Sequence, residues 1–288
     1  MTVEEVGDRG TRRRFLELPH TLHGADPRFA PLVLAWERWR VDRFRNPVLE
    51  EGELALFLAR RDGRPIGRVG VLLPWPAARE GAFGLWWCDD DTEAATALLA
   101  EARGWLAERG ATTMVGPWSP TAEQEAGVLV AGHEAPGLTG RPWHPPHLAR
   151  LLEAAGAEPA GERRWWRHPL APPLGAPAPP VRRRPTEAVD PAGPWTDPRL
   201  HLPGARAVPD VSELLRAGGW RGLRAAARAA RAGTWSVATV VGDPASAAAA
   251  DAALTDAASA AGYRWLVAPW PRGDQPPEAV HRWYRLTV

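Results

Sequence analysis

Three short stretches of this 288-residue sequence bring together side-chain types that could do chemistry. His144-Pro145-Pro146-His147 brings two imidazoles together. It lacks the i,i+4 helical spacing of a zinc-binding pair and has no neighbouring cysteine or acid cluster, so no metal is expected there. Arg163-Arg164-Trp165-Trp166-Arg167-His168 interleaves cations with stacking rings, as single-strand nucleic-acid binders do. A net charge of +1 argues against a polyanionic partner, and a twisted strand at the end of a sheet, tryptophans inward and arginines outward, explains the pattern without one. Cys88 precedes Asp89-Asp90-Asp91, whose charges disfavour a thiolate, so it is read as a structural thiol. No Gly-x-Ser-x-Gly, Walker or Rossmann fingerprint occurs.

Composition sets the wider frame. One cysteine excludes a disulfide framework and any multi-cysteine metal cluster. The sequence has no apolar run long enough to cross a bilayer and no signal-peptide pattern at its start, so the expected setting is cytoplasmic. Sixteen tryptophans stand against two tyrosines and five phenylalanines, and all 35 basic residues are arginine. That bias follows GC-rich codons and points to a high-GC bacterium. Tryptophan is also favoured in binding pockets, and composition leaves both readings open.

The elements that must position these groups alternate between strand and helix. Val3–Val6 is expected as a short strand, and Phe15, Leu18 and Leu22 mark a helical stripe. Asp26-Pro27 is expected to open a second helix bearing Leu32, Trp36 and Trp39. Residues 54–60 and 65–73 are strand-length runs joined by Asp62-Gly63, a hairpin turn, and 82–88 continues the sheet. Residues 92–109 form a helix capped by Asp91, with Ala95, Leu98, Leu99, Ala102 and Leu106 along one face and Gly110 as its stop. A strand at 112–118, a helix at 146–155 and a strand at 163–167 follow. Trp36, Trp39 and Trp105 lie on helical stripes and are expected in the core.

Proline then breaks the chain. The stretch from Pro169 through Pro185, with Pro191, Pro194 and Pro198 beyond it, is expected as a linker over 169–199. It separates a first domain, 1–168, from a second, 200–288. At an offset of 152 residues Gly81 falls on Gly233, Asp91 on Asp243, Gly110 on Gly262, Pro117 on Pro269 and Trp118 on Trp270. Strand, acidic cap, alanine-rich helix, glycine stop and a strand ending in Pro-Trp thus occur twice, as an internal repeat. The second copy has less room and is expected to be reduced.

The order of elements over 3–168 resembles the GNAT (Gcn5-related N-acetyltransferase) fold. The segments Phe57 to Arg68, Trp105 to Gly110, Gly116-Pro117, Glu125-Ala126-Gly127 and Pro145-Pro146-His147 resemble one bacterial GNAT-like group. The fold class expected is therefore α/β with a mixed sheet, a GNAT-like N-terminal domain and a reduced second GNAT-like repeat. The resemblance implies acetyl-CoA or another acyl-CoA as cofactor, held at the head of the long helix. Asp91, Thr92 and Ala94 occupy that place. The glycine-rich pattern is missing, and Asp89, Asp90, Asp91 and Glu93 set four carboxylates where a pyrophosphate should sit, which argues against binding.

What the resemblance implies about catalysis is a base near the end of the 112–118 strand and an acid at the leaving group. Glu125 or Glu123 would be the base and His147 the acid or orienting group. Trp86, Trp87, Trp118, His144 and His133 would line the substrate pocket. The function implied is acyltransferase-like acid–base chemistry on a small amine or amino-acid-derived substrate. Two alternatives stay open: a non-catalytic GNAT-like module binding a ligand or partner, and coenzyme A-independent acid–base chemistry on the same fold. The expected partner is a small molecule, without nucleic acid or membrane, on a monomer or homodimer.

Overall fold

The computed structural model of the chain describes residues 1–30, 34–46, 49–50, 52–118, 127–138, 141–171, 200–202, 205–210, 237–241 and 244–288. Its sheet begins with the hairpin anticipated above. Strand β2 (Glu53–Arg61) turns into β3 (Arg64–Leu73) through Asp62 and Gly63, both at positive φ, the twist-matched geometry of a two-residue hairpin. β1 (Thr2–Glu5) covers one edge of β2, and β4 (Glu80–Cys88) pairs antiparallel with β3 on the other side.

Helices cover both faces. α1 (Arg9–His23) is closed at its start by an Asp8 capping box and buries Phe15, Leu16 and Leu18 against Leu56, Leu58 and Leu85. The second helix, α2 (Leu34–Arg40), starts later than Asp26-Pro27 suggested. Asp26 instead accepts from the Arg28 backbone N–H at 2.8 Å and pairs with the Arg28 guanidinium, which holds a tight turn in place of a first helical turn. α3 (Thr92–Ala107) packs Ala95, Leu98, Leu99, Ala102 and Leu106 on the opposite face, the stripe that its spacing required.

β4 and β5 (Thr113–Trp118) run parallel and meet so closely that only glycine fits. A Cβ on Gly84 would lie 1.5 Å from the Trp118 carbonyl oxygen, and one on Gly116 would lie 2.1 Å from that of Phe83. Past this point β4 bulges. Leu85 has φ +52, and β4 spends one more residue than β3 between the Arg68 and Gly70 pairings. Beyond the bulge, Trp87 and Cys88 stay paired to β3, while the described pairing of β4 with β5 ends at Gly84 and Trp118.

The far side of β5 is closed from the other end of the chain. The strand β12 (Ala279–Thr287) lies between β5 and β7 (Glu158–Pro169), antiparallel to both. β6 (Val128–Ala131) also pairs with β12, and α4 (His147–Ala154) packs beside α3. The Arg/Trp-rich strand β7 is therefore interior to the sheet rather than at its end, paired to β12 through residues 158–165 and to β11 through 166–169. Trp165 is fully buried, as an inward tryptophan should be. Glu278 stitches the seam: it takes Arg141 at 2.6 Å and Arg167 at 3.0 Å just before β12 begins.

The second unit contains β8 (His201–Leu202), β9 (Ala205–Pro209), β10 (Val237–Val241), α5 (Pro244–Ala249), α6 (Asp251–Ala260) and β11 (Trp265–Ala268). The described strands form one 12-stranded sheet in the order β1-β2-β3-β4-β5-β12-β7-β11-β10-β9-β8, with β6 beside β12. The repeat is visible bond for bond at the helix stop. Ala111 N–H donates to Leu106 O and Gly110 N–H to Ala107 O. At the same offset Tyr263 N–H donates to Ala258 O and Gly262 N–H to Ser259 O. Gly110 and Gly262 share positive φ, at 82° and 86°. The copies diverge in register: Val115 faces Ala82, whereas Val267 faces Thr239, five residues beyond the place the offset assigns. The helix of copy two is also broken at Ala250. Gly233, Asp243 and most of the expected linker lie outside the described residues.

Candidate active site

Trp87, just past the β4 bulge, is the centre of an aromatic and imidazole cluster in which Phe29, Trp143, His144 and His281 are buried and His23 and His147 half-buried. His23, the last residue of α1, lies 5.2 Å from it between ring centroids, Phe29 5.6 Å and His144 5.1 Å. His147 at the head of α4 lies 6.1 Å from His23, and Trp143 is also 6.1 Å from His23. His281 of β12 continues the chain of rings, 6.0 Å from His144 and 6.4 Å from Trp165.

Backbone bonds set the protonation of these rings. His144 Nδ1 accepts the Leu129 N–H at 3.2 Å, so its proton sits on Nε2. His281 Nε2 donates to Pro142 O at 2.8 Å, which leaves Nδ1 as a buried lone pair. His147 Nε2 donates to Cys88 O at 3.0 Å. His133 Nδ1 lies 3.1 Å from His144 O, while its own carbonyl accepts the Trp143 indole N–H at 2.9 Å. The loop from His133 to His147 is thereby tied to β6, β4 and β12.

Burial drives the cluster toward the neutral form. The His23 imidazole is pushed down to about 4, mainly by desolvation and then by His147, with Asp26 opposing. His281 is pushed down to about 3 by desolvation, and His144 well below its ordinary value for the same reason, with His281, His23 and His133 adding to it. His23 Nε2 is buried and has no hydrogen-bond partner among the described residues. A neutral imidazole with an uncommitted ring nitrogen, set among aromatic walls, can accept a proton from a ligand. The Cys88 thiol, by contrast, is raised by burial and by Asp91, Asp89 and Asp90, and is no nucleophile at neutral pH.

Of the residues singled out from the sequence, the structure brings together Trp87, His144, His147 and His133. Trp86 is buried in the same core. Trp118 is elsewhere: it borders a narrow crevice with Leu54, Gly70, Leu72, Ala82, Gly84 and Leu85. Glu123 and Glu125 lie outside the described residues. His23, Phe29, Trp143 and His281 join the cluster without having been anticipated. The signal for His23 was present in part, since it lies on the helix carrying Phe15 and Leu22; for His281 none was available without the placement of β12.

Asp91, Thr92 and Ala94 do form the head of α3, and the test is whether they could cradle a pyrophosphate. They do not fit one. Asp91 Oδ1 itself accepts the Ala94 N–H at 3.0 Å, taking a donor that a phosphate would need. Arg61 binds Asp91 at 2.8 Å and Glu93 at 2.7 Å, Arg64 binds Asp89 at 3.2 Å, and Arg150 of α4 pairs with Asp90. Among the described residues no group of three or more His, Cys, Asp or Glu could hold a metal ion.

The fold has a structural counterpart. A tandem GNAT protein from the clavulanic acid biosynthesis pathway, solved without acetyl-CoA, superposes over 99% of this chain and 98% of its own, with a TM-score of 0.51 and 16% identity. The chain has a GNAT-like fold. A second, more degenerate repeat follows the first GNAT-like unit, as its shifted register and broken helix describe. The bacterial ceramide synthase of Caulobacter vibrioides (strain NA1000 / CB15N) is 31% identical over 162 residues, covering 54% of this chain and 42% of that protein. Protein YghO of Escherichia coli (strain K12) is 27% identical over 164 residues, covering 54% and 41%. The chain thus spans about two-fifths of the length of these curated relatives. No family model matches it. No described helix is long and apolar enough to cross a membrane.

Proposed function

We propose that this GNAT-like chain transfers an acyl group to an amine, with His23 as proton acceptor and His147 as proton donor. The observation that carries the reading is the buried, unpartnered Nε2 of a neutral His23 beside Trp87 and His147. The name of the Caulobacter relative supports it, because a ceramide is the amide of a long-chain amino alcohol. The amine nitrogen bonds to the acyl carbon as the bond from that carbon to the leaving group breaks. His23 takes the proton shed by nitrogen. His147, acting as the imidazolium with its Nε2–H kept on the Cys88 carbonyl, gives its Nδ1 proton to the leaving group. Passage of the proton from His23 to His147 Nδ1 restores both. Small and amino-acid-derived amines are the first substrates to try, and long-chain amino alcohols the next.

The test is turnover of His23→Gln with an amine panel and an activated acyl donor. Loss of a proton acceptor of this kind costs about 100-fold or more in kcat, with folding by circular dichroism unchanged. Once the protonation of the substrate amine is allowed for, the pH profile should show no loss from His23 between about pH 7 and about pH 5, because that ring remains neutral there. Unchanged kcat in His23→Gln removes the assignment, and a loss confined to Glu125→Gln moves the acceptor role to Glu125. Ligand binding without turnover by any donor would favour the non-catalytic module.

A further inference from the structure

The acidic loop at the head of α3 is satisfied from within. Asp89, Asp90, Asp91 and Glu93 supply four negative charges, and Arg61, Arg64 and Arg150 supply three positive ones. The arginines come from three places, the end of β2, the start of β3, and α4, so they draw the β2–β3 hairpin and α4 onto one helix terminus. At the terminus the Ala94 N–H donates to the Asp91 carboxylate. Its dipole, which favours negative charge, is already met by carboxylates fixed in sequence. Just before the loop, His147 donates to the carbonyl of Cys88, the last residue of β4.

We infer that this unit carries its own substitute for a cofactor pyrophosphate, and that the acyl donor it uses has a leaving group without a nucleotide. The loop's carboxylates stand where the phosphates would, and the three guanidiniums that could have attracted phosphates are spent on those carboxylates. Among the described residues, the second unit has no better-placed counterpart. The corresponding helix, Pro244–Ala249, has only six residues, and its first has no N–H to give. The donor is then a simple thioester or other activated acyl compound. This part of the inference rests on the acyl-transfer reading; the closed loop does not.

Two measurements on the full chain separate the claims. The first titrates coenzyme A and acetyl-CoA by calorimetry and thermal shift. The expected result is no saturable heat and no change in Tm, in the wild type and in Arg61→Ala alike. Saturable binding by the wild type overturns the inference, and its loss in Arg61→Ala would show that the arginine holds phosphate. The second compares acetyl-CoA with the acetyl thioester of N-acetylcysteamine as donor. Equal or faster turnover with the small thioester is expected, and turnover with acetyl-CoA alone overturns it. If neither donor is turned over, the acyl-transfer reading and its donor fall, while the binding titration still decides whether the loop is closed.

Discussion

Acid should unfold this protein through His281 earlier than its carboxylates would dictate. In the fold the ring is fully buried against Trp165 and His144, with the Arg141 and Arg163 guanidiniums and His133 adding unfavourable charge. Its pKa falls from 6.5 to about 3. A histidine whose folded pKa is depressed gives a stability contribution that is complete above 6.5 and is lost as pH drops toward the folded value. At about pH 5 the unfolded ring is protonated and the folded ring is not. At about 1.4 kcal/mol per pH unit below 6.5, this one residue then withdraws about 2 kcal/mol of stability between pH 7.5 and 5. Urea unfolding at those two pH values, on wild type and His281→Gln, measures it. The substitution lowers stability at pH 7.5 by removing the bond to Pro142 O, but the variant's further loss on acidification should be smaller by about 2 kcal/mol. Equal losses in the two proteins would refute the argument, since His281 would then titrate alike in both states.

Two other perturbations probe how the cluster is supported. Glu37 lies buried between Arg40 at 2.6 Å and Arg68 at 3.6 Å, joining α2 to β3 beneath α1. Glu37→Ala strips both buried guanidiniums of their shared carboxylate and should cost about 3–5 kcal/mol in urea unfolding. A much smaller loss would mean that the cluster adds nothing net. Deleting residues 279–288 removes β12 from between β5 and β7, together with the buried Tyr284 and Leu286. The truncated chain should lose its cooperative unfolding transition; a cooperative transition near the wild-type Tm would show that the first unit stands without its C-terminal strand.

How far the sequence could be read depended on whether the signal was local. The Asp62-Gly63 turn, the Asp91 cap and the Leu98–Leu106 stripe are encoded within a few residues, and each forms where its pattern placed it. The Asp26-Pro27 start failed because the Asp26 side chain serves the Arg28 N–H in a turn, a competing local bond that composition does not reveal. The β4 bulge was equally hidden. No local rule marks Leu85 for positive φ, and yet the bulge there comes just before Trp86 and Trp87.

Long-range pairing hid the rest. The Arg/Trp run of β7 has an outward and inward alternation that suits an edge or an interior strand, and only the arrival of β12 from more than a hundred residues away makes it interior. The same arrival places His281 beneath His144, so the cluster draws on α1, β4, the His133–His147 loop and the last strand of the chain. The acidic loop was visible in the sequence as an obstacle to a polyanion. The structure adds that Arg61, Arg64 and Arg150 make it self-contained. A loop of unmatched carboxylates would attract a cation or a bridged phosphate, whereas here three surface arginines offset three of the four negative charges. On the proposal above, a donor's nucleotide would find the arginines at α3 already paired.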